Sequence, residues 1–258
     1  MLVISKEQMG VFREAAFHAF ENEMLDHLDQ FSPPLFKAVG VEQTRKVIQF
    51  GMEQARHYGF TLRGPVRFYL DLMLLFGSHF DTDPQYPWAA EILSDQHAGT
   101  EMERAERLYE KTMDYRQKVV GPEDAYALAA LRNIAIFARQ PLALPPDNFI
   151  PAMLQEIARI YPQKAAYVGH EALEALIRKG LGGAQRQRFS TARGAVLVII
   201  LMLAFGHGCG NDPLYPWIAK TLMDEAIVDP EERANRLERK ALIWLEHVLA
   251  YFDKQGKA

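Results

Sequence analysis

The segment FGSHFDTDPQYPW, Phe76 to Trp88, returns later in the chain as FGHGCGNDPLYPW, Phe205 to Trp217. Shifting the sequence against itself by 129 positions superposes the two segments and extends the match without a gap from Pro33 to Lys111. Self-similarity at a fixed spacing is typical of a structural unit that is used more than once. We therefore interpret the chain as a tandem duplication.

Both copies contain residues that typically begin and end helices, and their apolar residues follow helical spacing. Pro33 fits a first helical turn, while Gly40 and Gly77 stand where helices would end in a left-handed conformation. The apolar run at residues 196–200 could be a buried strand by itself, but its counterpart at residues 67–71 has helical spacing. The sequence predicts an all-α protein of about ten helices, in which two half-domains dock on one another.

The repeat also predicts how the chain is divided. Residues 1–120 form the first helical repeat, and residues 149–258 form the second. Residues 121–148 between them hold a connecting helix and a proline-rich linker, RQPLALPPDN.

Composition and charge argue against two classes of binding partner, nucleic acids and membranes. The net charge of −4 gives no basic field for phosphates, so we expect no nucleic-acid partner. The longest apolar run, Ala195 to Phe205, is about half the roughly 20 residues that a membrane span needs. We expect a buried helix there and no membrane partner. The N-terminus lacks a signal-peptide pattern, so we expect a cytoplasmic location.

The first copy of the repeated segment offers a candidate metal site. His79, Asp81 and Asp83 alternate, and an extended loop could aim them at one cation. The second copy has Gly208 and Gly210 in place of the first two, and only the third position keeps a carboxylate. We therefore expect polar loop residues here, with no metal and no cofactor.

The second copy offers a candidate nucleophile. Cys209 is the single cysteine of the chain, so no disulfide can form within it. Its neighbour His207 could act as a base, but neighbours on one loop rarely adopt the geometry of a catalytic dyad. Phe80 occupies the matching position in the first copy, so an apolar residue fits that environment. We expect a structural cysteine and no catalytic residue.

The residues that both copies retain have structural roles. They are the kinds that end helices, make turns and anchor cores. The late helices also repeat two arginine pairs, Arg104/Arg233 and Arg107/Arg236. Their spacing favours i,i+4 ion pairs on a solvated face, and as an alternative they clamp the repeated aspartate. The retained structural motif comprises Phe76, Gly77, Asp83, Pro84, Tyr86, Pro87 and Trp88, and, in the second copy, Phe205, Gly206, Asp212, Pro213, Tyr215, Pro216 and Trp217.

Charge distinguishes the copies elsewhere. The first copy has Arg63, Arg67 and Asp71 where the second has alanine, valine and isoleucine. The second copy places a cluster of arginines before its apolar helix. If the protein binds a partner, these differences indicate the surface better than the shared motif does. The candidate partner-binding residues are Arg63, Arg67, Asp71, Arg186, Arg188 and Arg193.

The segment from Arg67 to Leu93 resembles a pattern in small bacterial α-helical proteins that are often encoded beside type VI secretion toxins, spike proteins and their adaptors. The pattern is roughly Y-x-x-L-M-x-x-F-G-x-x-F-D-x-D-P-x-x-P-W. The second repeat matches it more loosely, and the resemblance implies a genomic setting rather than an activity. The matching residues are Tyr69, Leu72, Met73, Phe76, Gly77, Phe80, Asp81, Asp83, Pro84, Pro87 and Trp88.

From the genomic setting that this resemblance implies, we expect a non-enzymatic protein-binding module linked to toxin delivery. Its partner would be a secreted toxin or effector, and it would act as an immunity protein or as an effector chaperone or adaptor. Two alternatives remain open. One is a hydrolase or metal-dependent enzyme that uses the loop after Phe76 or Phe205. The other is a helical protein that binds a small ligand in the cleft between the repeats.

Overall fold

The computed structural model describes residues 6–95, 99–142 and 144–255. These residues form thirteen α-helices and no strand, so the all-α prediction is confirmed and the number of helices exceeds the expected ten. The helices are α1 (Lys6–Phe31), α2 (Pro33–Val39), α3 (Val41–His57), α4 (Arg63–Phe76), α5 (Pro87–Ser94), α6 (Glu101–Tyr115), α7 (Ala125–Ala138), α8 (Phe149–Ile160), α9 (Pro162–Val168), α10 (His170–Arg186), α11 (Ala192–Phe205), α12 (Pro216–Leu222) and α13 (Pro230–Gln255).

The same order of helices follows both copies of the sequence. Helices α2, α3 and α4 begin and end 129 residues before α9, α10 and α11. The caps match as well: Gly40 between α2 and α3 has φ of 83°, and Gly169 between α9 and α10 has φ of 85°. The bounds of these three helices therefore recur in the second half, whereas α12 and α13 end at other positions than α5 and α6.

The first long helix pair in each half crosses at a glycine. A Cβ atom on Gly51 of α3 would lie 2.4 Å from the Leu70 side chain of α4. In the second half, a Cβ atom on Gly180 would lie 2.4 Å from Ile199. The missing side chain lets the two helices of each pair approach closely.

One hydrophobic core runs through both halves. The apolar run Ala195 to Phe205 lies in α11, and most of that helix is buried, as the sequence predicts. The matching helix α4 keeps Arg67 exposed and Asp71 half-buried. The connecting helix α7 contacts α13, α8 and a π-helical turn at Arg116–Val120. No helix in the described ranges is long and apolar enough to cross a bilayer.

Candidate functional site

The two copies of the repeated segment meet at the seam between the halves. Each follows a buried helix and turns at a glycine, Gly77 with φ of 92° and Gly206 with φ of 88°. A Cβ atom on Gly77 would lie 2.5 Å from the Phe205 carbonyl oxygen, and one on Gly206 would lie 2.7 Å from that of Phe76. The two turns therefore touch backbone to backbone, with no room for a side chain.

The repeated aspartates bind across this seam. The Asp212 carboxylate accepts hydrogen bonds from the Ser78 amide at 2.7 Å and from the Ser78 hydroxyl at 2.6 Å. Reciprocally, the Asp83 carboxylate accepts one from the His207 amide at 2.6 Å. Each aspartate also accepts from the amide two residues ahead in its own turn. Burial raises the pKa of Asp212, and these donors act against that rise.

The arginines predicted to clamp these aspartates lie elsewhere. Arg104 donates to the carbonyl oxygens of Tyr58 and Leu93, and Arg233 donates to that of Ile227. That prediction was wrong, because backbone amides from the opposite turn already occupy the carboxylates. The arginines instead satisfy carbonyl groups within their own half.

A buried lysine of the second half lies against an aromatic ring of the first half. Lys164 of α9 donates to the Leu203 carbonyl oxygen at 2.9 Å, and its ammonium lies 5.6 Å from the ring centre of Tyr86 in the first half. Burial lowers the pKa of Lys164 to about 8, although Asp83 acts to raise it. The matching residue in the first half is Leu35. This role was missed in the sequence, where the substitution is a single change among many.

The candidate metal ligands have separate partners. Asp81 accepts a hydrogen bond from the Tyr58 hydroxyl at 2.8 Å, whereas Asp83 faces the second turn. The His79 ring packs edge-on against Phe50 at 5.4 Å between ring centres. In the described ranges, no three His, Cys, Asp or Glu side chains are grouped so that they could hold a metal ion.

The candidate nucleophile and base are also engaged differently. Cys209 is 4% exposed, and burial raises the pKa of its thiol to about 12. The His207 Nδ1 atom lies 3.3 Å from the Lys179 ammonium, which can only donate. The proton therefore lies on Nε2, which is 3.2 Å from the His79 carbonyl oxygen. His207 thus uses both ring nitrogens away from the thiol.

A cavity of about 170 Å³ opens beside this turn, within the second half rather than between the halves. Its buried wall is apolar, and its partly exposed edge combines polar side chains with the apolar Leu222 and Met223. The wall is formed by Val198, Leu201, Met202, Cys209, Ile218 and Leu237, and the edge includes Arg186, Gln187, His207 and Asn211.

The first half fills the corresponding space with side chains. Tyr69 and Phe80 are fully buried there, with ring centres 4.9 Å apart, and Tyr58 donates to Asp81 beside them. In the second half, valine and cysteine replace Tyr69 and Phe80, and glutamine and glycine replace Tyr58 and Asp81. The loss of three rings and a carboxylate creates the cavity. Comparison of the copies for side-chain volume would have revealed it from sequence.

A second depression, which we name the apolar groove, lies between α7, α11 and α13. Its floor includes the Phe205 and Trp244 rings, whose centres are 4.6 Å apart. At its rim Arg193 forms an ion pair with Glu238 and donates to the Ala138 carbonyl oxygen at 2.8 Å. Apolar lining residues include Leu131, Ile134, Phe137, Leu142, Val196, Leu197, Ile200, Ala204, Ala241, Leu242 and Leu245.

The structure distributes the six candidate partner-binding residues among different environments. Arg63 pairs with Glu23, and Arg67 lies 2.9 Å from His27, whose other ring nitrogen is 2.6 Å from Asp71. These contacts join α1 to α4 within the first half. Of the others, Arg186 lines the cavity, Arg193 lines the apolar groove, and Arg188 is exposed with φ of 59°.

No protein-family model, curated protein or solved structure matches this chain.

Proposed function

We propose that this protein is a non-enzymatic protein-binding module of a bacterial toxin-delivery system. It acts in the cytoplasm on a secreted toxin or effector, as an immunity protein or as an effector chaperone or adaptor. The setting rests on the resemblance of residues 67–93 to proteins encoded beside type VI secretion toxins. The binding mode rests on the apolar groove.

The apolar groove is the observation that supports partner binding. Three helices surround it, and its lining is apolar except for Gln140 and the Arg193–Glu238 pair. Helix α7 exposes 52% of Ile136, and α13 exposes 54% of Ile243, so apolar surface continues on the same helices. A groove between helices suits the apolar face of an amphipathic helix. We propose that a helix of the toxin inserts its apolar side chains here.

The state of the polar groups in the repeated turns favours a role other than catalysis. A buried thiol whose pKa is about 12 is a poor nucleophile near neutral pH. Asp83 and Asp212 are committed to backbone amides of the opposite turn. Their removal would disturb the seam, so these groups serve the architecture.

The test compares partners captured by two matched variants. Ala204→Arg places a long charged side chain at an exposed position inside the apolar groove. Ala129→Arg places the same side chain on an exposed position of α7 that does not line the groove. Tagged wild type and both variants are recovered from the native host, and bound proteins are quantified by mass spectrometry.

We expect a secreted toxin to copurify with wild type and with Ala129→Arg, and to be reduced by at least about tenfold with Ala204→Arg. A charge buried in an apolar interface without a partner costs enough to produce that change. Equal recovery with both variants would refute the groove as the binding surface. Recovery of no secreted toxin with wild type would refute the proposed function.

A further inference from the structure

The cavity beside Cys209 has the size and polarity of a ligand site. An apolar cavity of about 150 Å³ is large enough to hold benzene, and this one measures about 170 Å³. Its wall is supplied by buried aliphatic side chains, among them Val198 and Ile218. A body about as large as one six-membered ring therefore fits the buried part.

At the edge of the cavity, the positively charged side chain of Arg186 lies over two glycines of its own helix, α10. The Arg186 guanidinium lies 3.6 Å from the position of a Cβ atom on Gly182 and 3.8 Å from that on Gly183. Beside it, Val198 of α11 lies 3.1 Å from the latter position, so the guanidinium adjoins the apolar wall. In the part of the chain that the structure describes, no carboxylate forms an ion pair with Arg186.

Other groups near the same edge add positive charge and hydrogen-bond donors. Lys179 lies 3.3 Å from His207, which lines the cavity, and Asn211 contributes a side-chain amide. The carboxylates of Asp83 and Asp212, which act electrostatically on Cys209, accept the backbone amides of His207 and Ser78, and Asp224 pairs with Arg236 at 3.7 Å. The edge is therefore suited to an anion, and guanidinium groups bind carboxylates in a planar, bidentate geometry.

We propose that this cavity binds a small free carboxylate whose apolar body is about the size of one six-membered ring. The ring enters the space that Tyr69 and Phe80 occupy in the first half, and the carboxylate remains at the edge, on Arg186. The proposal does not depend on partner binding at the apolar groove. Neither Arg186 nor Val198 lines that groove, so the two proposals fail separately.

Calorimetric titration with benzoate tests the proposal, with benzyl alcohol and acetate as comparison probes. We expect benzoate to bind with a dissociation constant at or below about 1 mM, a modest affinity for a ligand of this size. Benzyl alcohol keeps the ring without the charge, and acetate keeps the charge without the ring. Each should bind at least about tenfold more weakly than benzoate.

Two sets of variants locate the binding. Val198→Tyr with Cys209→Phe restores the ring pair of the first half and should abolish benzoate binding. Cys209→Phe alone serves the same purpose if the double variant does not fold. Arg186→Gln should reduce benzoate affinity to that of benzyl alcohol, whereas the neighbouring Arg188→Gln should leave it unchanged.

The proposal is overturned if the dissociation constant of benzoate and the wild-type protein exceeds about 1 mM. It is equally overturned if a folded variant with the cavity filled binds benzoate as wild type does. If Arg186→Gln and Arg188→Gln weaken binding equally, the assignment of the carboxylate to Arg186 is wrong.

Discussion

Asp83 and Asp212 hold one another's turns: each carboxylate accepts the backbone amide that follows the turn glycine of the opposite half, at 2.6 and 2.7 Å. The donors, His207 and Ser78, occupy matching positions of the two copies. A backbone amide can donate whatever side chain its residue carries. The same hydrogen bond therefore forms in both copies, although the donor residue is serine in one and histidine in the other. The recurrence of aspartate therefore reflects a contact between the copies.

Removing one of these carboxylates should destabilise the protein. Asp212→Ala leaves the Ser78 amide, the Ser78 hydroxyl and the Leu214 amide without their acceptor in a buried place. We expect a loss of about 3 kcal/mol in the free energy of unfolding, measured with urea. The exposed Asp29→Ala should change it by less than about 0.5 kcal/mol. A loss below about 1 kcal/mol for Asp212→Ala would show that the seam contact contributes little.

Substitution of two glycines by alanine should distinguish the stability lost to backbone strain from that lost to steric contact between the turns. Gly77 and Gly40 both have positive φ, but only at Gly77 would a Cβ atom meet backbone of the other half. Gly40→Ala should cost about 1–3 kcal/mol from strain alone. Gly77→Ala should cost at least about 1 kcal/mol more, because the two turns must also separate. Thermal and urea unfolding measure both losses, and equal losses would contradict the close approach of the turns.

Lys164 should make the protein more stable at mildly alkaline pH. Its pKa is about 8 in the folded chain and 10.5 ordinarily, so between these values the folded chain binds fewer protons than the unfolded chain. The free energy of unfolding then rises with pH in this window, by about 2 kcal/mol between pH 7 and 9.5. Above about pH 10 ionisation of tyrosines such as the buried Tyr86 acts in the opposite direction.

The variant Lys164→Leu, which places the first-half residue in the second half, should remove this gain. The exposed Lys37→Leu should retain it. The measurement is urea unfolding of wild type and both variants at pH 7, 8 and 9.5. A rise with pH in Lys164→Leu equal to that of wild type would assign the effect to other groups.

The thiol of Cys209 should be inert in the folded protein. Since it is 4% exposed and its pKa is about 12, its thiolate fraction at pH 7.5 is far below that of a free cysteine. We expect alkylation by iodoacetamide to be at least about a hundredfold slower than in urea. Reaction of the folded protein as fast as a free cysteine would instead support the nucleophile hypothesis.

The helical class was predictable because it depends on local signals that occur twice. Proline at the first turn and glycine at the end of α2 recur in α9, and an ambiguous apolar run in α11 is resolved by its counterpart in α4. The number of helices was underestimated. Some of the thirteen are only seven residues long, and so short a segment shows little periodicity.

The candidate site was less predictable because it depends on contacts between distant residues. The sequence proposed a clamp by Arg104 and Arg233, although backbone amides on the opposite turn hold the aspartates. As an alternative it offered a ligand site in a cleft between the repeats, and the cavity beside Cys209 lies within the second half. The cavity exists because Val198 and Cys209 are smaller than Tyr69 and Phe80, their counterparts in the first half. The sequence shows this difference in side-chain volume, but only the packing of the helices shows where the empty space lies.

By itself, the sequence determined the helical class, the duplication of the helix pattern and the glycine and proline positions at which several helices begin or end, because caps, turns and apolar spacing act over a few residues. The tertiary structure alone decided that the two turns meet, that Lys164 is buried on the Leu203 carbonyl oxygen, and that Arg186 borders an apolar cavity. These relationships join residues up to 134 positions apart, as between Ser78 and Asp212. Burial and hydrogen bonding at such separations depend on how the helices pack, which no local pattern encodes.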